Sequence, residues 1–507
     1  MAIDLPPAIP PQLATVEFVT QQTGEDARYV GQVGEVVVNV FGNRLLSKEQ
    51  LDDALANAGS PSQAVLNITQ AYWDAGHLLV TVQYAVEDKK LLIGVTEGTL
   101  ADIIAPESIY PFFDHLIGDE DLTRDEFEDA RLLANLKSER AGYDLNVRYH
   151  IEPNKPEDVT IVMESVENEE HQATGLTVTF GNPGNRFVGR YFGNIEATHQ
   201  FDNGTQLSIG WETAITSLSS ERDLNGGLDY NRYLVSIDQP TPLGLYGLAY
   251  NQTRFGFNDA NGKNENTIVD ISATGEQMLL RSERTRLSLR EVIGHIEDET
   301  EGATPRDEPH TYASLGITWL QRIGNLSKMV SRVTVKQGLE GNDNSGAANG
   351  DSQFTIYSPE LGTQLSLVNN FWLDVDMLGQ VVAEDAAVPR QQQWVLGGIS
   401  SLSAWFPGIL AADEGYFGRV SFVWRGNPVG KLRPTLSAFY EYGYAEIAAT
   451  DAGDDLSDVG VRASLQYANN TSLDLIVAEA IDDENDAGQT ISDQLEADFF
   501  FLLRHQF

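Results

Sequence analysis

The 507-residue chain contains no cysteine, which excludes disulfides, thiolate metal sites and a cysteine nucleophile. Basic residues are scarce: 33 Lys and Arg stand against 75 Asp and Glu, a formal net charge of -42. With no cationic field to neutralise phosphates, nucleic acid is excluded as a partner. The acidic excess reads as a solvated surface or, alternatively, as loops that hold divalent cations among lipopolysaccharide. No run approaches ~18 uninterrupted apolar residues, so helical membrane spans are excluded as well. Met1 to Pro11 lacks a basic n-region and an apolar h-region, and reads as a mature start with a Met added. Eight His residues are scattered without HxxxH or HExxH spacing, and neither a Walker loop, a Rossmann fingerprint nor GxSxG occurs in its required context. Hence no catalytic residue, metal or cofactor is expected.

What the chain does have, from about residue 172 to Phe507, is a repeated unit of alternating apolar and polar residues followed by a turn or polar loop. Leu207, Ile209, Trp211 and Thr213 fall on one face, with Ser208, Gly210 and Glu212 on the other. The last strand sets Ala497, Phe499, Phe501, Leu503, His505 and Phe507 on a single face. In hydrocarbon every backbone N–H and C=O must be paired internally, and a closed barrel achieves this while showing lipid every second side chain. A mean hydropathy of -0.25 fits, since a barrel wall is half polar. The pattern predicts a transmembrane β-barrel over 171–507, with Tyr246, Tyr250, Trp424, Tyr444 and Tyr467 in its interfacial girdles.

Before the barrel, residues 1–30 are Pro-rich and then polar, and read as an arm or tether with little apolar periodicity. Val36 to Val40 alternates like a strand. Ser47 and Gln50 form a capping box for a helix carrying Leu51, Ala54, Leu55 and Ala58, and a second helix follows Pro61 and ends at Gly76. Leu78 to Val86 and Leu91 to Glu97 complete a β-α-α-β-β unit over 31–98. A shorter version spans 99–170: a strand at Thr99 to Ile104, a helix at Ile109 to Ile117, a capped helix from Thr123 with Phe127, Ala130 and Leu133, then two strands.

Phe41-Gly42-Asn43-Arg44-Leu45-Leu46-Ser47, Tyr72-Trp73-Asp74-Ala75-Gly76-His77 and Leu91 to Gly98 together resemble a polypeptide-transport-associated (POTRA) domain. Two such α+β domains ahead of a barrel are similar to the TpsB transporters of two-partner secretion, the hemolysin secretion/activation family. Tyr230 to Tyr250 resembles that family's strand, Pro-Leu-Gly turn and returning strand. Leu396-Gly397-Gly398 with Asp413-Glu414-Gly415-Tyr416 resembles the frame of its long sixth extracellular loop, here 385–415. Phe439-Tyr440-Glu441-Tyr442-Gly443 resembles its Phe-x-Asp-x-Gly strand motif. The resemblance implies sixteen strands, in line with the even numbers such barrels take.

At the tip of the sixth loop the family carries Val-Arg-Gly-Tyr/Phe, whose Arg pairs with the strand acid. This chain has Leu402-Ser403-Ala404-Trp405 instead. Strand parity turns Phe439, Glu441 and Gly443 to the lumen, where a buried carboxylate needs a cation. On the preceding strand the same parity turns Arg419 and Arg425 inward, and Arg419 first, then Arg425, is expected to pair with Glu441. The alternative is that Glu441 faces lumen water. Whether the loop enters the lumen, and whether the arm plugs it, the residues leave open. Arg190, Glu196, Asp374 and Asp376 read as a hydrated lumen wall, and the acidic clusters Glu297 to Glu301 and Asp482 to Asp486 as solvated loops.

The resemblance implies a nucleotide-independent pore in the outer membrane of a Gram-negative bacterium, with its POTRA pair in the periplasm. Its partners would be an unfolded TpsA-like secreted client, outer-membrane lipid and lipopolysaccharide, and the barrel assembly machinery, which reads the terminal Phe507. A monomer is expected. The alternatives are an outer-membrane protein assembly or insertion factor, and a non-secretory pore or scaffold.

Overall fold

The computed structural model describes residues 8–23, 27–152, 155–184, 188–218, 230–259, 261–282, 284–324, 326–341, 352–383, 387–448, 452–482, 496–497 and 499–507. Two units are separate in their packing, one running to His171 and the other formed almost wholly by the residues after it.

The first unit holds two sheets. Strands β1 (Gln12–Leu13), β2 (Tyr29–Val33), β3 (Val36–Phe41), β4 (Val80–Glu87) and β5 (Lys90–Glu97) are arranged in the order β1-β4-β5-β3-β2. Two helices cover one face. Helix α2 (Lys48–Ala56) starts at a complete Ser47–Gln50 capping box, which satisfies amides the first turn leaves open. Helix α3 (Pro61–Asp74) starts with Pro at its first turn, where no intrahelical N–H is lost. Leu51, Leu55, Val65, Ile68 and Tyr72 bury themselves against Val38, Val40, Val82, Ile93 and Val95.

The second sheet is β6 (Thr99–Ile104), β8 (Lys155–Glu167) and β7 (Tyr143–Glu152), in that spatial order. Helix α4 (Arg124–Arg140) opens at a Thr123–Glu126 capping box and puts Phe127 and Ala134 into the core. The helix expected at Ile109 to Ile117 is instead two 3₁₀ turns, Tyr110–Phe112 and Asp114–Leu116. Pro111 sits inside the expected span and has no N–H to continue a helical ladder.

Residues 1–30, expected as a tether, contain structure in their described part. Helix α1 (Val16–Thr23) packs on the first sheet through Val19, which meets Ala85 and Leu92, while Gln12–Leu13 adds to the edge of β4. So residues 8–23 belong to the first unit.

The second unit is a closed barrel of sixteen antiparallel staves. They are β9 (Thr174–Gly181), β10 (Phe192–Gln200), β11 (Gln206–Ala214), β12 (Tyr230–Thr241), β13 (Gly244–Asp259), β14 (Gly262–Arg281), β15 (Thr285–Gly302), β16 (His310–Ile323), β17 (Ser327–Gly341), β18 (Thr355–Ser366), β19 (Phe371–Val382), β20 (Glu414–Arg425), β21 (Leu432–Ile447), β22 (Ala452–Tyr467), β23 (Thr471–Asp482) and β24 (Phe500–Gln506). Among the described residues no helix is long and apolar enough to cross a membrane.

Exposed apolar side chains alternate along the staves: Ile209, Trp211, Tyr233, Val235, Val420, Phe422, Val459 and Val461 all point outward. Glu297 to Glu301, expected as a loop, belong to β15 and pair with β14. Of the Asp482 to Asp486 cluster, Asp482 ends β23 and the rest lies outside the described residues. The barrel closes through five residue pairs between β24 and β9, from Leu502↔Gly181 to Gln506↔Thr177. Buried Asn182 extends this short seam with its side chain, donating to the Phe499 carbonyl at 2.9 Å and accepting from the Phe501 amide at 2.6 Å.

Candidate functional site in the barrel lumen

Register aligns one row of charges across four staves: Asp376 opposes Arg419, Arg419 opposes Glu441, and Glu441 opposes Asp458. The flanking residues Val420, Tyr440 and Val459 are exposed on the outer face, so the row faces inward. Arg419 is ion-paired with Glu441. Of the row's carboxyl-bearing residues, Glu441 and Asp458 are 0% exposed. Such burial costs several kcal/mol per charge unless the group is paired and hydrogen-bonded.

The remaining partners come from the sixth loop. The Ser403 amide donates to Glu441 Oε2 at 2.5 Å and its hydroxyl to Oε1 at 3.3 Å. The next amide, Ala404, donates to Asp458 Oδ2 at 2.9 Å. Wall arginines reach back: Arg419 donates to the Ser400 carbonyl at 2.9 Å, and Arg462 to the Ile399 carbonyl at 3.1 Å. The loop tip therefore lies in the lumen, and the cation that pairs with Glu441 comes from the wall.

Arg425 does not take part. It lies opposite Thr435, six residues along β20 from Arg419, with its guanidinium 4.2 Å from the centre of the Trp372 ring.

Apolar packing seats the same tip. Leu402, Ala404 and Trp405 are buried with Leu396, Leu410 and Ala412 of the loop and with Phe417, Ala445 and Leu456 of the wall. Gly398 closes the turn by donating to the Trp405 carbonyl at 2.8 Å, at a φ of 92° that favours glycine. Gly443 leaves room for the tip, since a Cβ there would stand 2.8 Å from Leu396 Cδ1 and 3.0 Å from Leu402 Cδ1. Phe439 lies over Gly460 of the neighbouring stave and packs in a second cluster with Phe406, Ile476, Ala497 and Phe500. The Phe-x-acid-x-Gly pattern thus supplies a ring, a carboxylate and a gap, all addressed to the loop.

The tip also touches the seam. Ala497, just before β24, donates to the Ala404 carbonyl at 2.8 Å, and Trp405 bridges Glu496. Arg190 sits over the rings of Phe406 and Phe499, 5.5 and 5.7 Å from their centres.

At the loop's base, Asp413 accepts from the amides of Val388 at 3.0 Å and Ala448 at 3.2 Å. Gln392 accepts from Lys336 Nζ at 2.6 Å, and Gln391 donates to Asp298 at 2.9 Å. Asp458 and Arg462 are not singled out by the sequence: Asp458 sits in an acidic stretch that resembles solvated surface, and Arg462 lies on an alternating strand whose pattern does not give its register. Of the other residues singled out there, Glu196 and Asp374 face the lumen by parity. Phe507 is 65% exposed, its amide on the Leu176 carbonyl and its ring 4.3 Å from His505. Among the described residues no group of three or more His, Asp or Glu is placed to hold a metal.

No family model matches the chain. By sequence it is 23% identical over 331 residues to the Heme/hemopexin transporter protein HuxB of Haemophilus influenzae (strain 86-028NP), covering 61% of this chain and 57% of that protein. The chain thus spans little more than half the length of the curated relative it matches. By structure it is similar to CdiB from Escherichia coli (TM-score 0.67, 13% identity, 94% of this chain and 91% of that one). CdiB from Acinetobacter baumannii gives a TM-score of 0.62 at 15% identity over 94% and 90% of the two chains. BamA from Haemophilus ducreyi lacking POTRA domains 1-3 gives 0.57 at 14% identity, over 94% of this chain and 100% of that one. In fold, with α+β sheets preceding a closed sixteen-strand antiparallel barrel, the chain is similar to CdiB and BamA.

Proposed function

We propose that this protein is an outer-membrane export pore. Its POTRA pair, in the periplasm, captures an unfolded client through a sheet edge, and the client threads the lumen once the sixth loop withdraws. Folding outside biases the direction of transport, so no nucleotide is needed. The client is a secreted TpsA-like protein, and the barrel sits as a monomer among lipid and lipopolysaccharide. Phe507 presents the chain to the assembly machinery.

The observation that carries this reading is how the lumen is filled. Among the described residues the sixth-loop tip lies in the lumen, held by the Ser403 and Ala404 amides on Glu441 and Asp458, by Arg419 and Arg462 on the Ser400 and Ile399 carbonyls, and by apolar packing, contacts that a passing chain can replace. A pore that must admit polypeptide needs an obstruction of that kind. The short seam favours a second reading, insertion of outer-membrane proteins through a parted wall, since five residue pairs close the barrel there.

Deleting the gene in its host and comparing extracellular proteins tests the choice. Loss of one large secreted protein supports export. A general loss of outer-membrane barrels supports insertion, and an unchanged profile of both points to a non-secretory pore.

A further inference from the structure

Charge is sorted along the barrel axis. The three residues that end each of the sixteen staves on the side opposite the sixth loop include seven Arg or Lys and no Asp or Glu. They do so in a chain of 75 acids and 33 bases. At the other end of the staves the balance reverses, where Glu301, Glu340, Glu414, Glu446 and Asp454 outnumber Arg232 and Lys263.

The cations point inward. Ile323, Trp424, Leu432 and Leu503, the chain neighbours of Arg322, Arg425, Arg433 and Arg504, are exposed on the outer face, so parity turns the four arginines to the lumen. Two pairs oppose each other directly in register, Arg281 with Arg286 and Arg322 with Lys328. Like charges in that relation weaken a strand pair, so these cations are kept at a cost in stability. Deeper in the lumen Arg332 and Arg419 are paired with Glu360 and Glu441. At the mouth, among the described residues, Arg322, Lys328, Arg425, Arg433 and Arg504 have no carboxylate partner.

The arc from β20 to β24 is the most organised part. Register sets Arg433, Gln466, Ser472 and Arg504 in one row across β21 to β24. Arg425 stands 4.2 Å from the centre of the Trp372 ring, a contact that restricts the guanidinium while its N–H groups stay available. Arg425, Arg433, Thr435, Ser464, Gln466 and Ser472 border a recess of about 380 Å³, within the size range of ligand clefts.

We propose that this mouth of the lumen is a docking site for a carboxylate-rich segment of the exported polypeptide. The proposal rests on the export reading. A wet recess lined by cations focuses its field on anions, and guanidinium groups meet carboxylates through paired N–H donors. The side chains leave the wall on the lumen side, so the anion they meet is a passenger of the lumen and not a bilayer headgroup. Because acids crowd the far mouth, an acidic segment is held at this end while other parts of the chain move on.

The full-length protein in detergent is titrated with labelled short poly-L-glutamate. At a net charge of -42 the protein as a whole repels this probe, so binding requires a local site. Wild type is expected to bind, and Arg425→Gln with Arg433→Gln and Arg504→Gln to bind about tenfold more weakly. Lys48→Gln with Lys89→Gln and Lys263→Gln removes the same charge from exposed lysines elsewhere and should leave the affinity unchanged. Lys328→Gln relieves a like-charge pair, so it is expected to raise stability and yet weaken binding, which a purely structural role would not do. No binding by the wild type, or no greater loss in the mouth variants than in the control, overturns the docking site and leaves export intact. Displacement of the probe by phosphatidylglycerol added to the micelle assigns the mouth to lipid and also overturns it. Export itself is judged by the secreted proteins of the deletion strain, so a failure of either reading is told apart from a failure of the other.

Discussion

The Ser403 amide donates to Glu441 Oε2 at 2.5 Å, while the other side of the same carboxylate is ion-paired with Arg419. A loop tip without arginine thus still reaches the strand acid, because the positive charge stands on the wall and the loop offers backbone donors. A buried carboxylate with a guanidinium and two donors is satisfied, so the latch is stable without a formal charge in the loop tip.

Removing the carboxylate leaves Arg419 buried without its partner. Glu441→Ala is expected to lower stability by about 3–5 kcal/mol, the usual cost of breaking a buried pair from one side. It should also release the loop tip. Urea unfolding in lipid vesicles measures the first effect, and protease cleavage within 398–408 the second. Glu441→Gln, which can still accept from Ser403, should be milder in both.

Placing an arginine in the loop tip alone should do harm. Ser403→Arg brings a second guanidinium to a carboxylate that Arg419 already holds, so like charges meet in a site of low dielectric. Adding Arg419→Ala should recover much of the loss. A double-mutant cycle is expected to give a favourable coupling of about 1–3 kcal/mol, and additive effects would mean that the two arginines do not compete for Glu441.

Much of this site is visible in the sequence, and what is hidden has physical reasons. Alternation along Glu414–Arg425 and Leu432–Ile447 is clean, so parity alone brings Arg419 and Glu441 to one side of the wall. Parity does not give register, and only register separates Arg419 from Arg425 or puts Asp458 beside Glu441. Asp458 lies in Asp454-Asp455-Leu456-Ser457-Asp458, which resembles a solvated acidic turn. Glu297 to Glu301 mislead in the same way, since β15 continues beyond any apolar pattern on either face. The strand and helix within residues 8–23 are hidden because their hold on the sheet is one strand pair and one buried valine, too little to impose a period on the sequence.

Gly443 tests the apolar half of the latch. Gly443→Val places methyl groups where Leu396 and Leu402 already stand, so the tip must leave its seat. Overpacking of this kind costs about 1–3 kcal/mol. The barrel is expected to keep its heat-modifiable mobility on gels, because the outer face and the strand ladder are untouched, while the loop becomes open to protease. A loop still protected in this variant would show that Gly443 is not where the tip is seated.

The most direct measurement is the conductance of single pores in planar bilayers, comparing wild type with a chain in which residues 398–408 are replaced by a short glycine linker. If the sixth loop obstructs the lumen, the wild type conducts weakly and intermittently and the deletion gives a larger, steadier current. Indistinguishable traces would contradict a lumen latched by Glu441, Asp458 and Arg419.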